Sequence, residues 1–324
     1  MPYFNPYSAQ TFFGFFAVLF TRLFCFLTGS LGWQDIASDE IQMLVLSLVA
    51  ASSALVGTFL ILRRMTMLAN SISHTILLGI ISAFLLTRDN FFHATIDIQV
   101  MLWAALLTGV ATAFLTQFLV KVARLQEDAS TGLVFTSLFA LGIVLVTVMT
   151  RSAHIGAEVV MGNVDSLQKE DCELVFIIFA MNIVLFLLFF KEYTLTTFDA
   201  GLARTLGFST TFFNYLLMIQ VSATVVGAFR AVGVLMVLAF ITAPALTARL
   251  LTHKLKTLIF WAVALGVAAS ILGVALARHI LSVYDVALST GGLVVCILSA
   301  MYALAVATRG LGDTYWKFSA AKSK

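Results

Sequence analysis

The stretch Arg63–Leu86, RRMTMLANSISHTILLGIISAFLL, decides how this chain is read. From Met65 onward it is apolar over about 20 residues, enough at 1.5 Å per residue to cross the roughly 30 Å hydrocarbon core of a bilayer. Yet its middle holds Asn70, Ser71, Ser73, His74 and Thr75. Asn70 and His74 are four residues apart, so on a helix they share one face. His74 lies roughly 14 Å into such a span, close to the midplane. Polar side chains at that depth must point into a helix bundle or a wet cavity.

The composition around this stretch fits a membrane class. Hydrophobic residues make up 61% of the 324 and charged residues 11%, with 29 Phe and 3 Pro, and the mean hydropathy is +1.03. Soluble domains carry roughly twice that charge. The apolar runs are continuous rather than alternating, which excludes a β-barrel and points to an all-α polytopic membrane protein, whose helices satisfy their own backbone groups. About ten spans are expected, near 9–28, 41–62, 66–86, 99–120, 130–150, 173–190, 210–229, 232–251, 258–280 and 286–308. The first contains Arg22 and reads either as an extra transmembrane helix or as an anchor lying partly in the interface. The seventh and eighth are joined by so short a link that they form a tight hairpin.

Positive charge orients the spans. Arg63, Arg64, Lys121, Arg124, Lys191, Arg204, Arg249, Lys254 and Lys256 fall in one alternating set of connections, together with Arg309 to Lys324 at the C-terminus. That set is cytoplasmic, and ten spans place both termini there. Acids such as Asp39, Glu40, Asp165, Glu173 and Asp285 gather on the opposite face. The inside-positive bias accounts for this, and a mouth that concentrates cations is the second reading. Cys25, Cys172 and Cys296 are too far apart for a metal or redox motif and read as structural.

The polar turn admits two readings. Imidazole ligates first-row divalent cations well, an amide oxygen weakly, so His74 and Asn70 can form part of a transient metal site. Asn, His and Ser also hydrogen-bond across packed helices as plain glue.

Longer segments bear on the choice. LRRMTMLANSISHTILLGI (62–80), QEDASTGLVFTSLFALGIVLV (126–146), KEYTLTTFDAGLARTLGF (191–208) and RAVGVLMVLAFITAPALTARLLT (230–252) occur in order. Together they resemble the permease subunits of bacterial ABC importers for manganese, zinc or iron, from about residue 41 to residue 305. The resemblance implies a type II importer-like permease bundle. It also implies a metal passage built by the third span of two facing permeases, identical or different, and an extracytoplasmic metal-binding protein that delivers the ion. In the family an Asp precedes the His by four residues; here His74 is kept and Asn70 replaces the acid. Residues 1–40 lie outside the likeness as an N-terminal extension, 41–308 form the permease domain, and 309–324 a cytoplasmic tail.

No stretch matches GxxxxGK[ST] or HExxH, so the chain is not expected to act as an enzyme; ATP hydrolysis falls to two separate ATP-binding subunits. In TTFDAGLARTLGF, Asp199 can cap a short helix, Phe198, Leu202 and Leu206 form an apolar stripe beside Ala203, and Gly207 suits a left-handed stop. This segment resembles the family's coupling helix; by pattern alone it equally suits a helix resting on headgroups. Thr242 and Pro244 in the eighth span mark a gate hinge or a fixed kink. Small residues at Gly266, Ala269, Ser270 and Gly273 read as close helix packing. Glu127 and Asp128 favour the start of a helix through its dipole. His93, His154 and Glu158 read as solvated residues of outer loops. No tightly bound cofactor and no nucleic-acid partner are expected; the metal is cargo. The alternatives are a permease for a metal chelate or siderophore, which would need a wide passage, and an ATP-independent secondary metal transporter, which would need intramembrane carboxylates.

Overall fold

A computed structural model describes residues 5–7, 10–30, 32, 35–86, 98–150 and 164–322. Among them the chain forms α1 (Phe12–Leu27), α2 (Ser38–Leu62), α3 (Thr66–Leu86), α4 (Ile98–Val122), α5 (Glu127–Thr150), a 3-10 turn (Val164–Ser166), α6 (Lys169–Phe198), α7 (Ala200–Thr205), α8 (Thr210–Val232), α9 (Val234–Leu251), α10 (Leu255–Tyr284) and α11 (Thr290–Lys322), with no strand. Nine of these helices, α2 to α6 and α8 to α11, are long and apolar enough to cross a membrane, so the chain is a multi-pass membrane protein.

The first of the ten expected spans falls short of one. α1 has 16 residues, about 24 Å at 1.5 Å per residue. The chain on both sides of its midpoint is tied to one carboxylate in the first turn of α2. Tyr7 donates its hydroxyl to Glu40 Oε1 at 2.7 Å, and Arg22 donates Nε to the same oxygen at 2.6 Å. Burial and the Glu40 contact push the Tyr7 phenol well above its usual range. Phe15 packs on the Tyr7 ring at 4.7 Å, while Phe13, Phe20 and Phe24 are exposed. α1 is thus tied to the first turn of α2 and, through Phe12 against the His279 ring, to α10.

α2 is the axis of the bundle. Its Leu46, Ala50, Val56, Phe59 and Leu60 are fully buried, because other helices close around it. Asn182 of α6 donates to Ser52 at 2.6 Å and to Thr224 of α8 at 2.7 Å. Gly57 meets α9 so closely that a Cβ would stand 2.0 Å from the Ile241 carbonyl oxygen. In α10, Ser270 donates to the Leu46 carbonyl, and a Cβ on Gly266 would meet Ala50 at 3.2 Å. A Cβ on Gly273 would meet Val294 of α11 at 2.2 Å. The small residues of α10 therefore do what their spacing suggests, letting backbones approach where lipid offers no hydrophobic drive.

The α8–α9 hairpin forms with a single linking residue, Gly233, at φ +79. Along α8, Asn214 meets Arg63 and Thr224 shares Asn182 with Ser52, so α8 runs against α2. Along α9, Ile241 meets Gly57, and Ala248 clusters with Ile61, so α9 runs with it. Only a residue free of Cβ strain reverses direction in one step.

Candidate functional site

α3 folds as the helix its apolar pattern predicts, and burial divides its polar turn in two. Ser71, Ser73 and Thr75 are buried. Ser73 donates to the Ala69 carbonyl at 2.8 Å, and the Thr75 hydroxyl sits 2.8 Å from that of Thr112 in α4. Thr75 is therefore interhelical glue, Ser73 is satisfied within its own helix, and the Ser71 hydroxyl is buried without a partner. Asn70 and His74 differ. Both are partly exposed, on a stripe shared with Met67 and Leu78. The His74 ring stands 5.5 Å from each of Phe135 and Phe139 in α5, whose rings stack on each other at 5.6 Å. Neither Asn70 nor His74 makes a hydrogen bond to another described residue. Inside this chain the glue reading finds no partner for these two, which are partly exposed beside the aromatic pair of α5. Among the described residues no group of three or more His, Cys, Asp or Glu converges, so α3 offers one imidazole and one amide rather than a closed coordination sphere. His93, His154 and Glu158 lie outside the described residues.

The segment after α6 takes the local structure its residues dictate. Asp199 caps α7, its Oδ1 accepting from the Leu202 N–H at 2.9 Å. Gly207 ends the turn at φ +85, and the Phe208 N–H donates back to the Ala203 carbonyl at 2.9 Å. Ala203 is fully buried, while Phe198, Leu202 and Leu206 are 62%, 47% and 59% exposed. The short helix is thus anchored by its alanine and presents an uncovered apolar stripe.

Sequence reasoning missed what joins these two places. Arg63, the C-cap of α2, donates Nε to Thr197 and an Nη to Thr196, each at 2.9 Å, and its other Nη to Asn214. Thr196 and Thr197 close α6 just before Asp199, and Asn214 lies in the first turns of α8. One guanidinium therefore ties the helices on both sides of α7 to the turn that starts α3. Burial lowers its pKa to about 10, against the pull of Tyr193 and Glu127, and it stays cationic at neutral pH. The readable signal is the Thr196–Thr197 pair at the end of α6.

Pro244 is buried within α9 and packs near Gly266 of α10. Thr242 donates to the Leu238 carbonyl, not to the Phe240 carbonyl four residues before the proline. The interior departure from helical dihedrals falls elsewhere, at Phe189 of α6 (φ −112, ψ 23).

Comparison with known proteins places this arrangement. The model of the ABC 3 transport family matches residues 40–309. A probable metal transport system membrane protein of Chlamydia pneumoniae is 41% identical over 298 residues, covering 92% of this chain and 90% of its own length. The manganese transport system membrane protein MntC of Halalkalibacterium halodurans is 32% identical, covering 85% and 89%. Among solved structures, PsaBC from Streptococcus pneumoniae in complex with Fab superposes with a TM-score of 0.68 at 27% identity, covering 85% of this chain and 92% of the other.

Proposed function

Because the chain belongs to the ABC 3 transport family, we propose that it is the membrane-spanning subunit of an ATP-driven importer for divalent transition metals. The observation that carries this reading is the unpartnered pair Asn70 and His74 on the open stripe of α3. An imidazole and an amide left without partners at mid-membrane depth need another chain, water or an ion. A second permease facing this stripe supplies the missing ligands, and two such helices enclose a passage. A site completed only between subunits binds a cation briefly and releases it, as transit requires.

The exposed stripe Phe198, Leu202, Leu206 docks in a cleft of a separate ATP-binding subunit, one for each permease. Arg63 carries its displacement to the start of α3. Thr242 and Pro244 mark the point at which α9 hinges, at the α9–α10 contact beside Gly266. An extracytoplasmic metal-binding protein delivers manganese, zinc or iron to the outer face of the bacterial inner membrane.

The Lys and Arg distribution makes the α2–α3, α4–α5, α6–α8 and α9–α10 connections cytoplasmic. Nine crossings, without α1, put the C-terminus inside and α1 on the outer surface. Two cytoplasmic termini would require α1 to cross as a tenth span.

Co-expression with an ATPase and a second permease of the family, followed by uptake into vesicles, tests the reading. ATP-dependent entry of at least one of the three metals is expected. Co-purification without ATP-dependent entry of any of them contradicts it.

A further inference from the structure

Between the C-terminal end of α9 and the middle of α11 a recess of about 290 Å³ is lined by Leu246, Arg249, Leu250, His253, Tyr302 and Arg309. Arg249, His253 and Arg309 make no hydrogen bond or ion pair to another described residue. Lys254 and Lys256 follow within a few residues and are exposed. Carboxylates are scarce: the sequence holds none between Asp199 and Asp285, or between Asp285 and Asp313. Asp285 caps the opposite end of α10, and Asp313 is the single acid in this part of the chain. Among the described residues, three cationic or protonatable groups thus converge with no carboxylate paired to any of them.

The lining is also graded by depth. Leu246 precedes Arg249 by about one turn on α9, and Tyr302 precedes Arg309 by about two turns on α11, and the two helices run in the same direction. Apolar and aromatic groups lie deeper, cations at the rim. That is the profile of a phospholipid, with its acyl chain beside Leu246 and Tyr302 and its phosphate at the arginines. A guanidinium pair meets a phosphate with charge-assisted, bidentate hydrogen bonds, which ordinary snorkelling into water does not require.

We propose that this recess binds the phosphate of an anionic phospholipid from the cytoplasmic leaflet. The proposal rests on the chain being embedded in a membrane and is independent of metal transport.

The delipidated full chain in neutral detergent is titrated by native mass spectrometry with phosphatidylglycerol, phosphatidylcholine and inorganic phosphate. Phosphatidylglycerol is expected to bind preferentially. R249Q/R309Q is expected to weaken it roughly thirtyfold, since each arginine near the surface supplies roughly fivefold, while R249K/R309K, which keeps the charge but not the bidentate fork, restores only part of the preference. Circular dichroism melting of both double variants shows whether the fold is intact. Equal binding of the two lipids, or a preference unchanged in R249Q/R309Q, overturns the proposal. Displacement of phosphatidylglycerol by millimolar inorganic phosphate also overturns it, by assigning the recess to a soluble anion.

Discussion

At the scale of single residues, the chemistry turns on a separation that the sequence shows only in part. Asn70, Ser71, Ser73, His74 and Thr75 all read as polar intrusions into an apolar helix. The 3.6-residue period tells which of them share a face, and it places Asn70 and His74 together. It does not tell which face is covered, because that depends on where α4 and α5 pack. In the fold, Thr112 of α4 takes Thr75, and the α5 phenylalanines flank but do not cover His74. Asn70 stands where a carboxylate would add a charge and a hard oxygen. Asn70→Asp should therefore tighten divalent-metal binding by the assembled transporter, read as a lower dissociation constant in equilibrium dialysis; an unchanged constant would remove position 70 from the ligand set. In the same assay His74→Ala should weaken binding by at least about tenfold, the order of loss seen when a metal site is disturbed.

At the scale of elements, the best-forecast piece is α7. Its cap at Asp199, its stop at Gly207 and its Phe198–Leu202–Leu206 stripe are local features, fixed by neighbours in sequence, and they appear as expected. Leu202→Glu with Leu206→Glu puts charge on that stripe and should release the ATPase subunit in a pull-down; retained ATPase would leave the stripe to lipid headgroups. Long-range features were less legible. Nothing in the local pattern joins Arg63 to Thr196, Thr197 and Asn214, because those partners lie more than 130 residues away. Arg63→Gln should leave the subunits assembled but lower metal-stimulated ATPase activity, the signature of a broken linkage between α7 and α3. Helix contacts offer a cleaner comparison. Gly57→Ala drives a Cβ into the Ile241 carbonyl and should cost about 1–3 kcal/mol as overpacking, whereas Gly292→Ala meets no neighbour within 4 Å and should leave the melting temperature nearly unchanged.

At the scale of the whole molecule, the class, the spans from α2 onward and the α8–α9 reversal were readable, since continuous apolar runs and charge asymmetry are global signals. α1 was not. Its composition is that of a span, and only its 16 residues and the shared grip of Tyr7 and Arg22 on Glu40 set it apart. The topology is open to labelling. In a background with Cys25, Cys172 and Cys296 replaced by Ala, Gly32→Cys should react with an impermeant maleimide in intact cells, and Lys254→Cys only after permeabilisation; the reverse pattern would invert the protein in the membrane. The central claim is that an ion passes in direct contact with the His74 imidazole, between this chain and a facing permease. X-ray absorption on the assembled transporter loaded with zinc tests it most directly. An imidazole nitrogen at about 2.0–2.1 Å from the metal, lost in His74→Ala, is the predicted result; a coordination shell without imidazole, or one unaltered by that substitution, would contradict it.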